Sequence, residues 1–329
     1  MLKNIFTGRR GRKLREYLTA YTFIAPASIL VFVFGIFPVG FALYVSLHKW
    51  RIRQGDFIHL ENYVDAIGNL AYVLVFFLGV GALFGVYFLV RRILNSVREK
   101  GDRPWVCLLP GIIYAFMAFA FLNWFYRLLP EVLDIATKLR GVERTRNVFI
   151  QFLGEAFRAE SVLPAWRILL WCLLGALISG IAVFLLWRNK RNLQYQRQFA
   201  LTFMALAAGV GLLYYTFQQV SQAYADAFAE GVDPGIWPQF ISISGGLILL
   251  AIAWVLWQRA SKRDSGGAFW LHIVAASALL VGGWLLIGEI PTIVASGDKD
   301  MWEGLKVTVF FSLGTVPFQL AIALFLSVL

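Results

Sequence analysis

The most restrictive feature of the sequence is an alternation of long apolar runs with short loops, in which every second loop is rich in Lys and Arg. Four basic segments hold 18 of the 30 basic residues but only 4 of the 19 acidic residues. Because short basic loops stay on the cytoplasmic side during membrane insertion, the pattern predicts a multi-pass membrane protein with both termini in the cytoplasm. The basic residues concerned are Lys3, Arg9, Arg10, Arg12, Lys13, Arg15, Arg91, Arg92, Arg98, Lys100, Arg103, Arg188, Lys190, Arg191, Arg197, Arg259, Lys262 and Arg263.

Eight of the apolar runs are long enough to cross a bilayer. A hydrocarbon core about 30 Å thick requires about 20 apolar residues per helical crossing, and 59% of the chain is hydrophobic. We therefore predict an all-α, polytopic transmembrane helix bundle of about eight helices. The predicted spans are Tyr21 to Leu47, Leu70 to Val90, Trp105 to Tyr126, Trp166 to Trp187, Phe199 to Phe217, Phe240 to Trp257, Phe269 to Ile290 and Leu305 to Leu329.

Several function classes are disfavoured by the same pattern. The net charge of +11 lies in short loops, not on the basic face of a folded domain that nucleic-acid binding requires. Cys107 and Cys172 each lie in an apolar run, so we predict neither a disulfide nor a metal site. The chain has no GxxxxGK[ST] loop and no cluster of acid, base and nucleophile. We expect no cofactor and no enzyme activity in this chain.

A signal peptide is the alternative interpretation of the first apolar run. Signal cores are about 7 to 15 residues long, whereas this run is far longer and ends at Ser46, Leu47 and His48 without a small-x-small cleavage site. We therefore expect it to remain as the first helix.

The largest predicted extramembrane piece is the outer loop 127–164, which Pro130 and Pro164 bracket as helix breakers. Within it, apolar residues at helical spacing predict a helix over 147–160 that lies on the outer membrane surface or caps the bundle. The segment 218–238 is acidic and lacks basic residues, which predicts a second outer loop. The apolar residues of the helix are Val148, Phe149, Phe152, Leu153, Ala156 and Phe157.

Few polar residues lie within the spans, where an ionised side chain costs about 2.5 to 3.5 kcal/mol on insertion scales. We interpret His272 as a neutral imidazole bonded to a neighbouring helix and Glu289 as a solvated carboxylate. Asn123 and Gln319 are candidates for bonds between helices, and for Gln319 a position lining a pore is an equal alternative. Small residues that permit close helix approach are Gly79, Gly81, Gly85, Gly282 and Gly283.

Two stretches resemble the sugar-type permease subunits of binding-protein-dependent ABC importers, as in maltose and glycerol-phosphate systems. The first is YTFIAPASILVFVFGIFPVGFALYVSLHKW followed by FIHLENYVDAI; the second is MWEGLKVTVFFSLGTVPFQLAIALFLSVL. The second resembles the entry into the family's transport core, which makes Thr308, Thr315 and Gln319 candidates for the substrate path. The residues that carry the resemblance are Pro26, Pro38, 43–50, Leu60, Glu61, Asn62, Tyr63, Trp302, Thr308 and 316–320.

The resemblance implies a chain in three parts. Residues 1–69 would form the cytoplasmic N-terminus, the first transmembrane helix and an outer segment; residues 70–290 an inserted six-helix region; and residues 291–329 the start of the permease core. Six crossings are an even number, so such an insertion leaves the orientation of everything downstream unchanged. In the family a cytoplasmic coupling loop follows the core's first helices, and we expect this sequence to be the amino-terminal portion of such a permease.

The implied function is a carbohydrate permease in the inner cell membrane that works by alternating access. The implied partners are a second permease subunit, cytoplasmic ATPase subunits and an extracytoplasmic solute-binding protein. Two alternatives remain: a structural or sensory membrane subunit whose inserted helices are the functional part, and a membrane-embedded transferase. A downstream coupling loop would select the permease, and a downstream His or acidic cluster the enzyme.

Overall fold

The computed structural model describes residues 9–50, 54–101, 104–140, 142, 145–186, 192–229, 231, 235–262 and 266–328. Eight helices of this part are long and apolar enough to cross a membrane, which confirms the predicted all-α polytopic bundle. Their orientation stays a prediction. Residues of the sequence predictions that lie outside the described ranges are Lys3, Arg103, Trp187, Arg188, Lys190, Arg191, Arg263 and Leu329.

The described elements follow one another as helices with one small hairpin. A π-helical turn, Phe32–Ile36, separates α1 from α2, and a 3₁₀ turn, Pro104–Cys107, precedes α5. The elements are α1 (Arg9–Val31), α2 (Phe37–Ser46), β1 (His48–Trp50), β2 (Gln54–Phe57), α3 (Glu61–Ile67), α4 (Leu70–Lys100), α5 (Leu108–Lys138), α6 (Arg146–Phe157), α7 (Leu163–Leu186), α8 (Asn192–Ala229), α9 (Ile236–Ala260), α10 (Gly266–Ser296) and α11 (Lys299–Val328).

The chain divides into two compact units. Unit 1 contains Met1–Gly68 together with Ser296–Leu329, and unit 2 contains Asn69–Ala295. Unit 1 therefore joins the two ends of the sequence, and unit 2 is continuous in sequence.

In unit 1 the first span is a continuous apolar helix, α1 and α2, interrupted only by the π-helical turn between them. Proline has no backbone N–H and disturbs the helix on its N-terminal side, and Pro38 lies in the first turn of α2. Just before it, the Phe37 N–H donates to the Phe32 carbonyl, five residues back. The wider turn gives the Phe37 N–H, directly before the proline, an acceptor within the helix, as a lipid environment requires.

Unit 2 is built on close helix crossings at glycine. A Cβ on Gly209 of α8 would lie 3.0 Å from the Gly79 carbonyl oxygen of α4, and one on Gly282 of α10 would lie 2.9 Å from the Gly246 carbonyl oxygen of α9. Gly79 and Gly282 thus permit the close approach that the sequence predicts. The prediction is wrong for Gly81, Gly85 and Gly283, because a Cβ there would meet no described atom within 4 Å.

The predicted helix break at Pro130 is wrong, whereas Pro164 does mark a helix boundary, the start of α7. Pro130 lies inside α5, which continues to Lys138, and Pro164 lies in the first turn of α7. A proline in a first turn loses no helical bond. An internal proline is tolerated in membrane helices where neighbouring groups satisfy the freed carbonyl.

The predicted outer loop 218–238 is largely helical as well, because α8 extends to Ala229. Hydropathy marks where a helix leaves the apolar layer, but not where its backbone hydrogen bonding ends.

The helix predicted over 147–160 is confirmed as α6, Arg146–Phe157. Its first turn is capped by Thr145, whose hydroxyl oxygen accepts from the Val148 N–H at 3.4 Å. Ala156 is buried, and the Phe157 ring lies 6.1 Å from that of Trp124 on α5. The C-terminal end of α6 therefore packs against the helix bundle, which agrees with the predicted capping role and not with a helix that only lies on the membrane surface.

Candidate functional site

The polar residues of α11 form one stripe. Thr308, Ser312, Thr315 and Gln319 are spaced by four, three and four residues, which at 3.6 residues per turn places them within about 60° of arc and over about 16 Å of helix length. The stripe contains all three substrate-path candidates. Ser312 is the member that the sequence prediction missed, although its spacing of four from Thr308 would have revealed it.

Both threonine hydroxyls of the stripe donate hydrogen bonds to backbone carbonyls of α11. Thr308 Oγ1 donates to the Gly304 carbonyl and Thr315 Oγ1 to the Phe311 carbonyl, both at 2.8 Å. Each hydroxyl oxygen retains acceptor capacity, while the Gln319 amide offers two donors and one acceptor. The stripe therefore presents both acceptors and donors, the combination that a hydroxyl-rich solute requires.

The stripe is not covered by the described part of the chain. Gln319 is exposed and Thr315 is half-buried, and no residue in the apolar window of this span is buried. The helix is otherwise apolar, as its exposed Phe318 and Leu320 show. An amide left without a partner in lipid costs on the order of 2 to 7 kcal/mol, so this face requires protein or water against it.

Several of the other polar residues of the spans have contacts close by, whereas the buried Gln198 Oε1 on α8 and Ser244 Oγ on α9 have no hydrogen-bond partner in the described part of the chain. His272 Nδ1 lies 2.8 Å from the Ala268 carbonyl oxygen of its own helix, so the predicted bond to a neighbouring helix is wrong for this nitrogen. Its ring meets Trp257 of α9 edge to face at 4.9 Å. Asn123 accepts from Arg127 Nε at 3.3 Å within α5, and Glu289 is half-buried on α10, which continues past Pro291 to Ser296.

The hairpin and α3 of unit 1 form a bonded assembly at the end of α2. The Asn62 side chain donates to the carbonyls of Ser46 at 3.0 Å and His48 at 3.3 Å, which lie just where α2 has no helical donors left. The hydroxyls of Ser46 and Tyr63 lie 2.5 Å apart. These residues belong to the stretches that carry the family resemblance, and their contacts give them a structural role in holding α3 against the end of α2.

An aromatic group lies beside these bonds. His48 is buried, its Nδ1 lies 2.7 Å from the Tyr44 carbonyl oxygen, and its ring is 4.4 Å from the Tyr44 ring and 5.2 Å from the Phe57 ring. Gln54 Nε2 donates to the Tyr44 hydroxyl at 2.8 Å. The hairpin was not predicted from the sequence, because its short strands carry none of the alternating apolar pattern of a longer strand.

The start of α11 meets α3 within unit 1. A Cβ on Gly297 would overlap the Ala66 carbonyl oxygen and lie 3.0 Å from Trp302 Nε1. Only glycine fits between these two groups. The contact brings together residues that are more than 200 positions apart in the sequence.

Metal binding and thiol chemistry have few candidate residues in the described part of the chain. No group of three or more His, Cys, Asp or Glu residues that could hold a metal ion occurs among the residues that the structure describes. Cys107 is buried and Cys172 half-buried, and the two are not joined in a disulfide.

Comparisons of the chain with known protein families, with curated proteins and with solved structures gave no match.

Proposed function

We propose that this multi-pass membrane protein is the permease subunit of a binding-protein-dependent ABC importer of the sugar type. It moves a carbohydrate by alternating access and catalyses no bond chemistry itself. Its partners are a second permease subunit, cytoplasmic ATPase subunits and an extracytoplasmic solute-binding protein, in the inner cell membrane.

The observation that carries the proposal is the composition of unit 1. The two stretches that resemble this family lie within Met1–Gly68 and Ser296–Leu329, and these two segments form one unit while everything between them forms another. Close packing of Gly297 on Ala66 is what an interrupted core requires: its two parts must meet where the insertion leaves and returns. A chance resemblance would give no reason for the segments that flank the insertion to meet at Ala66 and Gly297.

The chemistry of the α11 stripe supports a path for a polar solute. Carbohydrates offer hydroxyls that both donate and accept, and the stripe provides Thr and Ser hydroxyl oxygens and one Gln amide on a single helical face. Polar groups at mid-membrane depth mark solute paths more often than lipid-facing surfaces, because lipid does not satisfy them.

Deletion of the gene in its host tests the proposal. Uptake of a panel of isotopically labelled mono-, di- and trisaccharides is measured in the deletion strain and after complementation, with and without collapse of cellular ATP. We expect loss of ATP-dependent uptake of at least one sugar and its recovery on complementation. Unchanged uptake across the panel, together with a purified native assembly that lacks an ATP-hydrolysing subunit, would reject the permease.

A further inference from the structure

A groove in unit 2 lies between two helices that run parallel. Helices α4 and α9 meet near their N-terminal ends, where Asn69 Nδ2 donates to Gln239 Oε1 at 2.6 Å and Val73 packs with Ile243 in a buried cluster. Further along both helices a groove of about 750 Å³ lies between them. Its wall on α4 runs from Phe76 to Phe84, and its wall on α9 from Leu247 to Arg259.

The groove is apolar along its length and basic at one end. Phe, Leu, Ile, Val, Ala and Gly line it, and Arg259 is the one charged residue among the described residues of its lining. Arg259 is exposed and forms no ion pair with any carboxylate in the described part of the chain. Lys262 follows it, and because the helices run parallel, Arg91 and Arg92 lie toward the same end of α4.

The length and lining of the groove suit a lipid chain. The twelve steps from Leu247 to Arg259 correspond to about 18 Å of helix. Along this length the described lining is apolar, and Arg259 places a positive charge at one end. An anionic lipid matches both features, because it has an extended apolar chain and one charged end.

Gly81 contributes to the width of the groove. It lines the groove, and a Cβ there would meet no described atom within 4 Å. A glycine at a helix crossing is explained by close backbone approach, as at Gly79, but Gly81 has no such neighbour. Its missing side chain widens the groove instead.

We propose that the α4–α9 groove binds an anionic phospholipid, with an acyl chain along the apolar walls and the phosphate paired with Arg259. Basic pockets between transmembrane helices on the cytoplasmic side are suited to anionic headgroups, and the basic end of this groove is on the side that the charge pattern predicts to be cytoplasmic. The proposal does not depend on the transport function, because the groove lies wholly within unit 2.

Native mass spectrometry of the full chain in mild detergent tests the proposal. Dioleoylphosphatidylglycerol and dioleoylphosphatidylcholine are added at equal concentration, and the bound lipid is counted for the folded, monodisperse fraction. We expect wild type to retain phosphatidylglycerol preferentially. Free glycerol 3-phosphate in excess should not displace it, because the acyl chain is required.

Two matched pairs of variants locate the site. Arg259→Gln should lower phosphatidylglycerol retention by about fivefold, the effect of one basic residue at an anionic surface, whereas Arg197→Gln, an exposed arginine on α8, should not. Gly81→Trp should fill the groove and abolish preferential retention. Gly85→Trp, on the same helix and also in open space, should retain the wild-type preference.

Three results would overturn the proposal. They are equal retention of the two lipids by wild type, equal loss in Arg259→Gln and Arg197→Gln, and equal behaviour of the two tryptophan variants. Because the first comparison uses wild type alone, it can overturn the proposal even where a variant fails to fold.

Discussion

Substitution of single side chains on α11 can show whether this face of the helix lines a solute path or contacts lipid. Gln319 has an amide that the described part of the chain does not cover, on the same face as three hydroxyl residues. If the stripe meets the solute, removing the amide removes a hydrogen bond of about 0.5 to 1.5 kcal/mol.

We predict that Gln319→Leu inserts normally but lowers sugar uptake by about threefold to tenfold, the equivalent of one such hydrogen bond. The measurement is initial uptake rate in the complemented deletion strain at equal membrane levels of the protein. Gln319→Asn, which retains the amide, should keep more activity. Gln218→Leu, the same change at an exposed position of α8, is the control, and equal rates for Gln319→Leu and wild type would make Gln319 a packing residue.

Gly297 is the residue on which the contact between α3 and α11 depends. We predict that Gly297→Ala destabilises the protein by about 1 to 3 kcal/mol, because the new methyl group overlaps the Ala66 carbonyl. Thermal unfolding in detergent measures the loss. The control is Gly304→Ala on α11, the helix that follows Gly297; there a Cβ meets no described atom within 4 Å, and alanine should be neutral or stabilising by about 0.5 to 1 kcal/mol. A Gly297→Ala variant as stable as Gly304→Ala would contradict this packing.

At the level of elements, the hairpin and α3 form one assembly in which the Asn62 amide donates two of the hydrogen bonds. We predict that Asn62→Ala raises hydrogen exchange at the backbone amides of residues 46–57. The carbonyls of Ser46 and His48 lose their donor, which weakens the end of α2 by about 1 to 2 kcal/mol. Exposed Asp65 on the same short helix provides the control, as Asp65→Asn. Equal exchange in both variants would show that Asn62 does not hold the assembly.

Sequence patterns predict the membrane spans but not the ends of the helices or the short hairpin. Hydropathy predicts all eight spans because lipid imposes a length on each apolar run. It does not predict that α5 continues through Pro130 or that α8 continues to Ala229, since helical hydrogen bonding can continue beyond the apolar layer and hydropathy does not report it. The hairpin is equally invisible, because three and four residues are too few to establish a period.

The candidate site, too, is only partly predictable from the sequence. Thr308, Thr315 and Gln319 are candidates from the family resemblance, whereas the helical spacing of α11, which joins them with Ser312 into one stripe, did not enter that prediction. It does not predict the contact of Gly297 with Ala66 or the α4–α9 groove, because both depend on which helices meet, and no local pattern specifies that. Glycine spacing alone gives Gly79 and Gly81 the same meaning, whereas one lies in a crossing and the other in open space.

At the scale of the whole molecule, the charge pattern makes the orientation testable. We predict that residues 127–164 are external and that the short loop containing Ser261 is cytoplasmic. The short loop carries three basic residues and one acidic residue, whereas residues 127–164 carry six basic and five acidic residues and so have no comparable basic excess. In a background with Cys107→Ala and Cys172→Ala, Ser161→Cys should react with a membrane-impermeant maleimide in intact cells. Ser261→Cys should react only after permeabilisation. The opposite result would reverse the topology.

The division into two units makes the strongest prediction about architecture. In sequence, unit 2 begins at Asn69 and ends at Ala295, and within unit 1 the flanking residues Ala66 and Gly297 are already in contact. A short Gly/Ser linker can therefore join Gly68 to Ser296 without stretching either side. Removal of unit 2 takes away six predicted crossings, an even number, so α11 keeps its orientation.

We therefore predict that a chain with unit 2 replaced by such a linker inserts, assembles with its partners and retains sugar uptake at a reduced rate. The physical reason is that the polar stripe on α11, the proposed solute path, remains in the shortened chain, while the spans of unit 2 carry no Asp, Glu, Lys or Arg at mid-membrane depth. Uptake in the deletion strain is the measurement, with the same linker chain carrying Gln319→Leu as the control. If the shortened chain inserts and co-purifies with its ATPase yet transports nothing, unit 2 is part of the transport path and not a peripheral bundle.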